Sequence, residues 1–289
     1  MLRFEELYPD VYLLKVPFSG LWTGVVLITG EENCLIDSGA RDEDVDQLIL
    51  PALTELGLDL SAITWLLNTH SHGDHIGGHA RIKKLANLKV AAHVSSAPKV
   101  QDPVPYAIET RTKFPEHSPA PQSYLQGVPV NRVLQDGEII TGRLQVIHTP
   151  GHDDDCVCWY DMKTKTLITG DSIQGNGTPA QGVGFYKDLE GYLASVRKLQ
   201  KMPIEHMICG HEYDGIGWNV SGAEKVQSAL RICLETAGKY HDFIWQKYHA
   251  GISDPAEIAL DLIRTHGCGM PERLFLALYT VTQHLEKMS

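Results

Sequence analysis

Cysteine is sparse and scattered: six residues, at positions 34, 156, 158, 209, 233 and 268, form no C-x-x-C pair and no closely spaced framework. A disulfide-stapled scaffold is thereby excluded, and the thiols are expected to be reduced and mostly buried. No stretch holds 18 uninterrupted apolar residues, so no membrane-spanning helix is expected. The first ten residues carry Glu5 and Glu6 and lack the basic stretch and long apolar run of a secretory signal, which points to a cytoplasmic protein. Positive charge is also in deficit. Twenty-five Lys plus Arg stand against 36 Asp plus Glu, a net charge of −11, so there is no general attraction to nucleic acid or anionic lipid, and a small-molecule partner is expected. Repeats and low-complexity segments are missing as well. What remains is a 289-residue chain with 43% hydrophobic and 21% charged residues, the profile of an ordinary globular protein of one large domain or a domain with an appendage. Its one excess is histidine, with 14 copies in an acidic chain.

The hydrophobic pattern divides the chain in two. Apolar or β-branched runs at 11–16, 25–28, 34–39, 63–67 and 90–93 predict strands, with helices at 42–56 and 80–85 between them. Pro51 falls inside the first of these helices, so a kink or two abutting helices is expected there. Residues 95–129 contain seven of the fifteen prolines and little periodicity, which suggests a long ordered loop of functional use. Further strands are expected at 143–148, 157–160, 167–171 and 207–211, with a helix at 189–199. From Ser221 the pattern is helical to the end. Ser221 with Glu224 forms a capping-box pattern, Pro255 opens a second helix, and Pro271-Glu272 opens a third that runs through Leu285. The expected division is a catalytic domain over 1–218 and a helical extension over 219–289.

The strongest chemical signal is the segment His70-Ser71-His72-Gly73-Asp74-His75, which packs four potential metal ligands into six residues directly after a strand. Alternate residues of a tight loop reach one point and the remainder reach a second point nearby, so the segment suits two metal ions. Unpaired imidazoles clustered in this way would otherwise repel on protonation. Zinc takes four ligands, one of them water in a catalytic site, so the loop needs help from elsewhere. His152 after Thr149-Pro150-Gly151, Asp171 after Gly170 and His211 after Gly210 all lie where a strand gives way to a loop, and one sheet edge could gather them. Of the remaining histidines, His148 shares a strand face with Leu144 and Val146 and reads as a packed or supporting residue, and His79 is placed to cap or orient the loop.

In this order the motifs resemble those of the metallo-β-lactamase-fold hydrolases, and Asp37-Ser38-Gly39 resembles the family's early I-D-x-G segment; together they span roughly residues 10–215. The resemblance implies an α/β protein, a four-layer αββα sandwich with two mixed sheets face to face and helices outside. It implies that His70, His72 and His152 hold one metal, that Asp74, His75 and His211 hold the other, and that Asp171 bridges. Two Zn2+ ions are expected, with Fe or Mn as substitutes. Hydrolysis by a hydroxide shared between the ions follows, with Asp74 also passing a proton toward the leaving group.

Among members of that family, true β-lactamases lack the bridging Asp that is present here as Asp171. The segment Cys209-Gly210-His211-Glu212-Tyr213 is similar to the last ligand segment of glyoxalase II, and Phe185-Tyr186 resembles the place where that family seats its thioester. Tyr186 is accordingly a candidate oxyanion or substrate contact. Gly184 stands where a substrate-binding Lys would precede it. Gln174 stands where related lactonases carry Tyr, and Asp153-Asp154-Asp155 replaces the usual small hydroxyl residue after His152. The expected activity is hydrolysis of a small ester, thioester or lactone, with a phosphodiesterase or an iron redox enzyme as alternatives. The helical tail has two candidate uses, covering the pocket or pairing two subunits into a dimer through Phe275, Leu278 and Val281, beside simple core packing.

Overall fold

The computed structural model describes residues 2–271 and 274–288. Thirteen strands build two sheets among these residues. The first sheet runs in sequence order through β1 (Glu5–Tyr8), β2 (Val11–Phe18), β3 (Leu21–Ile28), β4 (Asn33–Ile36), β5 (Ile63–Leu67), β6 (Lys89–His93) and β7 (Arg132–Leu134). It is antiparallel from β1 to β4 and parallel from β4 to β7. The second sheet contains β8 (Ile139–Ile140), β9 (Leu144–His148), β10 (Val157–Asp161), β11 (Thr166–Ile168), β12 (His206–Tyr213) and β13 (Gly217–Ser221), ordered from β13 back to β8. Only β11 and β12 pair in parallel within it.

The period-2 alternation of the strands produces the layers. Val11, Leu13, Val26, Ile36 and Leu67 of the first sheet meet Val146, Val157, Trp159, Ile168 and Ile208 of the second in one buried cluster between the sheets. The intervening residues Leu14, Val16, Leu27, Leu35 and Leu66 face outward onto Val45, Ile49, Leu53 and Ile82. Cys158, Leu167, Met207 and Cys209 face the other way, onto Tyr192, Val196, Val226 and Leu230. The result is the expected αββα order.

The helices depart from the sequence pattern at several points. The segment expected as one helix over 42–56 is a short helix Asp42–Asp44, a π-helical stretch Val45–Ile49 and a helix Leu50–Glu55. Pro51 has no amide hydrogen to donate back into the preceding turn, and Leu50 N–H instead reaches Val45 O. The predicted loop over 95–129 contains helices Ala97–Gln101 and Val104–Thr112 and a single turn Pro115–His117. Prolines in the first turns of these elements start them rather than break them. The expected capping box at Ser221 is corrected: Ser221 ends β13, and Gly222 precedes the helix Ala223–His249 with no side-chain cap. Pro255 does open its helix, Pro255–His266, behind Asp254, which accepts from Ala256 N–H. The last helix is Phe275–Glu286; Glu272, expected at its start, lies outside the described residues.

Leu278 and Val281 are buried within this chain against Ile244, Ile258 and Leu262, and Phe275 is buried beside Phe185 and Tyr279. The stripe therefore packs inward and is not a free face for a second subunit. Among the described residues, no helix is long and apolar enough to cross a membrane. All six cysteines are free and five are buried.

Candidate metal centre

The ligand loop starts where β5 ends and is held in place by the turn after β4. Asp37 sits there in the left-handed region at φ 63. Its N–H donates to Leu67 O at 2.9 Å, and its carboxylate accepts from Thr69 N, Thr69 Oγ1 and His75 Nδ1, each at 2.8 Å. The loop then enters the short helix Gly73–Ile76, and Ser38 N–H donates to His75 O at 2.7 Å. His79 is buried, with Nδ1 2.7 Å from Ser38 Oγ, consistent with orienting this turn.

Three groups of ligand atoms converge: His70, His72 and His152; His70, His75 and Asp171; and Asp74, His75 and His211. Within each group the candidate atoms lie within 4.8 Å of one another. Asp171 occupies the middle. Its Oδ2 is 3.4 Å from both His152 Nε2 and His211 Nε2, and its Oδ1 is 3.4 Å from His75 Nε2. Asp74 Oδ2 lies 3.3 Å from His211 Nε2 and 3.5 Å from His75 Nε2. All seven residues named from the sequence are thus brought together. His211 reaches the centre from inside β12 rather than from a strand exit, through an irregularity in its pairing with β13 between Ile208 and Tyr213.

The backbone is shaped for this meeting. A Cβ on Gly210 would lie 2.6 Å from Asp171 Oδ1, and one on Gly170, at φ 49, would lie 2.4 Å from the Thr69 side chain. Both glycines let the two ligand-bearing segments close on each other.

The donor set fits metal ions. His70 Nε2, His75 Nε2 and Asp171 Oδ1 are buried without a hydrogen-bond partner among the described residues, which is costly unless a cation completes them. Four imidazoles are anchored through Nδ1 and turn Nε2 inward: His70 on Thr69 Oγ1, His75 on Asp37, His152 on Phe185 O and His211 on Trp22 O. Supporting hydrogen bonds of this kind fix the ring and its tautomer. Burial, with His75 and His72 beside it, pushes the His70 pKa well below its ordinary value. Burial likewise lowers His152 to about 4 against the pull of Asp171. For His211, burial is outweighed by Asp171 and Asp74, which raise it to about 10. For His75, burial is outweighed in the same way by Asp74, Asp171 and Asp37, and the value is raised. Asp74 and Asp171 are buried, yet the neighbouring imidazoles hold both carboxyls low. The centre is therefore a set of imidazoles and carboxylates competing for protons, which cations would replace.

A cavity of about 410 Å³ opens onto the centre. Phe18, Leu21, Tyr106, Phe185, Phe275 and Leu276 supply its apolar wall, so the last helix does contribute to the pocket. The residues 95–129 contribute through the helix Val104–Thr112.

Tyr186 is a correction. It is buried away from this cavity, its hydroxyl 2.6 Å from His284 Nε2 and its ring stacked on Tyr192, and the preceding Phe185 faces the site instead. The acidic turn is not solvated as a whole either: Asp153 and Asp155 are buried around the Lys99 ammonium. His148 does not join the ligands; its ring stacks on His93 across the two sheets. Gln174 links several parts, donating from Nε2 to Asp171 O at 2.7 Å and accepting Phe185 N–H at 3.1 Å.

A four-layer sandwich with this centre at the edge of its sheets defines a metallo-hydrolase. The chain belongs to the metallo-beta-lactamase superfamily, whose pattern it matches over residues 22–211. It is 27% identical over 269 residues to the "Beta-lactamase-like protein 2 homolog" of Drosophila melanogaster, covering 91% of this chain and 80% of that protein. It is 29% identical over 190 residues to an atrochrysone carboxyl ACP thioesterase of Aspergillus fumigatus, covering 64% of this chain and 49% of the thioesterase. The chain thus spans about half the length of that relative. Among solved structures, a metallo-beta-lactamase family protein from Thermus thermophilus superposes with a TM-score of 0.75 at 23% identity, covering 98% of this chain and 94% of that one. A B3 metallo-beta-lactamase with an active-site glutamic acid gives 0.60 at 24% identity, covering 83% and 90%. At these identities the structures speak for the fold. The match shows the superfamily and no particular subgroup within it.

Proposed function

We propose that this protein is a dinuclear zinc acyl hydrolase that cleaves a small ester, thioester or lactone. The observation that carries the reading is the position of Asp171, one carboxylate oxygen equidistant at 3.4 Å from the His152 and His211 nitrogens, between two ligand groups that face one cavity. Five imidazoles and two carboxylates form a donor set suited to zinc, with iron or manganese the alternatives. Two such cations would supply Lewis-acid polarisation of the acyl oxygen and a water acidic enough to attack near neutral pH.

The residues of the chain do the rest. Asp74 faces the cavity and receives a hydrogen bond from Thr23 Oγ1 at 3.2 Å, which leaves its other oxygen to take a proton from the attacking water and return it to the leaving group. Phe185, Phe275 and Leu276 exclude water beside the acyl group. The two lysines in the lining, Lys99 and Lys187, are already tied to aspartates. An apolar wall whose lysines are held by aspartates, with Arg111 lying over the Phe275 ring, suits an acyl chain better than a phosphodiester or a nucleic acid. The thioesterase relatives point the same way. We place the full ligand set in a catalytic domain over 1–218, take 219–289 as an extension that completes the pocket, and place the protein in the cytoplasm, where free thiols persist.

The test is a matched panel of thioester, lactone, aryl ester and bis-phosphodiester substrates on metal-replete protein, with metal content measured on the same sample. Acyl turnover with two zinc ions per chain is expected; turnover of the phosphodiester alone would overturn the reading. Asp74→Asn that retains both metals is expected to lose about 100-fold in kcat, and full activity in that variant would remove the proton role.

A further inference from the structure

His72 is held differently from the other four imidazoles of the centre. They anchor Nδ1 and turn Nε2 inward, whereas His72 places Nδ1 3.1 Å from His152 Nε2 and turns Nε2 outward, 3.0 Å from Asp153 Oδ2. Asp153 is itself buried and held on both oxygens. Lys99 Nζ donates to Oδ1 at 3.0 Å and Lys187 Nζ to Oδ2 at 2.5 Å. Lys99 also binds Asp154 and, at 3.3 Å, Asp155, while Lys187 donates to Thr110 Oγ1 at 2.9 Å. The two lysines come from the helix Ala97–Gln101 and from the segment after Asp171, so distant parts of the chain close on this one carboxylate.

We propose that Asp153, clamped by Lys99 and Lys187, is a positioning residue that fixes His72 as an Nδ1 ligand and strengthens binding of one of the two metal ions; this rests on the dinuclear reading above. The proton of a neutral imidazole resides on the nitrogen with the stronger acceptor, and the Asp153 carboxylate outcompetes the neutral His152 Nε2, so it holds the proton on Nε2 and leaves the lone pair on Nδ1. A carboxylate partner also makes the ring a stronger donor. With both oxygens engaged by ammonium groups, the carboxylate has one orientation and cannot turn away from His72. A small hydroxyl side chain at position 153 could not receive two lysines and an imidazole together.

The experiment uses the full chain. Zinc affinities of wild type, Asp153→Ala, Asp153→Asn and Lys187→Met are measured by competition with a chromophoric chelator, and the His72 tautomer is read by long-range 1H–15N NMR on the zinc-loaded wild type. Asp153→Ala is expected to weaken one zinc step by about tenfold or more and leave the other unchanged. Asp153→Asn, whose amide oxygen still accepts from Nε2, restores most of the loss, and Lys187→Met falls between. The wild-type spectrum is expected to show a protonated Nε2 and a coordinated Nδ1 on His72. Equal weakening of both steps, unchanged affinity in Asp153→Ala, or coordination through His72 Nε2 would each overturn the proposal, and the last needs no variant to fold. Wild-type protein that takes up fewer than two zinc ions would instead overturn the dinuclear reading, a result separate from any behaviour of Asp153.

Discussion

At the scale of single residues, the centre depends as much on what is missing as on its ligands. Gly210 precedes His211, and a methyl group there would meet Asp171 Oδ1 at 2.6 Å and the Gly170 backbone at 3.0 Å. The first neighbour is the end of the buried Asp171 side chain and the second is backbone, so Gly210→Ala must displace either that carboxylate or β12. We expect this variant to fold with a loss of about 1–3 kcal/mol and to lose one metal ion on dialysis, measured by denaturant unfolding and elemental analysis. Two ions retained at wild-type affinity would show that Asp171 need not sit where it does. The seven candidate ligand residues stood out in the sequence because their types and order are unusual and most of them follow closely on a strand. Their supports were not. Lys99 and Asp153 are 54 residues apart, and an isolated lysine in a proline-rich segment carries no signal of a buried partner. Tyr186 misled for a related reason: in extended chain adjacent side chains point apart, and only the packing of Tyr192 and His284 decides that Phe185, and not Tyr186, faces the cavity.

At the scale of elements, the alternation of apolar residues made most of the strands readable, and the two mixed sheets follow. Short edge strands escaped: β7 and β8 have three and two residues, too few for a period, and β13 was absorbed into the helical pattern after Ser221. The prolines of 95–129 hid two helices because a proline that opens a helix looks the same in sequence as one that ends it. The tail shows what an apolar stripe leaves open. Leu278 is buried with Ile244, Ile258 and Leu262, whereas Leu276, two residues earlier and on another face of the same helix, lines the cavity. The two positions should therefore separate stability from specificity. Leu278→Ala is expected to cost about 3 kcal/mol in denaturant unfolding with little change in KM. Leu276→Ala should leave the unfolding free energy within about 1 kcal/mol of wild type and raise KM several-fold for the longer acyl substrates of a chain-length series. If the two variants cannot be told apart by these measurements, the helix is not a wall of the substrate pocket.

At the scale of the whole molecule, the acidic chain keeps an interior rich in imidazoles, and their proton affinities are pulled in opposite directions. In the metal-free protein His211 is raised to about 10 and His75 is raised as well, because the stabilising Asp171 and Asp74 charges outweigh burial. Such groups bind protons more tightly folded than unfolded, so their contribution is complete below the ordinary histidine value of 6.5 and is lost as pH rises toward 10. His79 and His284 are lowered by burial to about 3, and His93 to about 4. These bind protons more tightly unfolded, so their contribution is complete above 6.5 and is lost as pH falls toward 3. Chelated protein should therefore be most stable near pH 6.5 and melt at lower temperature on either side. Metal ions displace the protons on His75 and His211, and they add stability by mass action, about 4 kcal/mol when free metal is a thousand times its dissociation constant. The loaded protein should lose the alkaline decline and keep the acid one, and the gap in Tm between loaded and chelated samples should widen as pH rises from 6.5 to 9. Thermal melts across pH 4–9 with and without a chelator make the comparison. A chelated protein whose Tm stays flat from pH 6.5 to 9 would show that the protons on His75 and His211 do not hold the empty centre together.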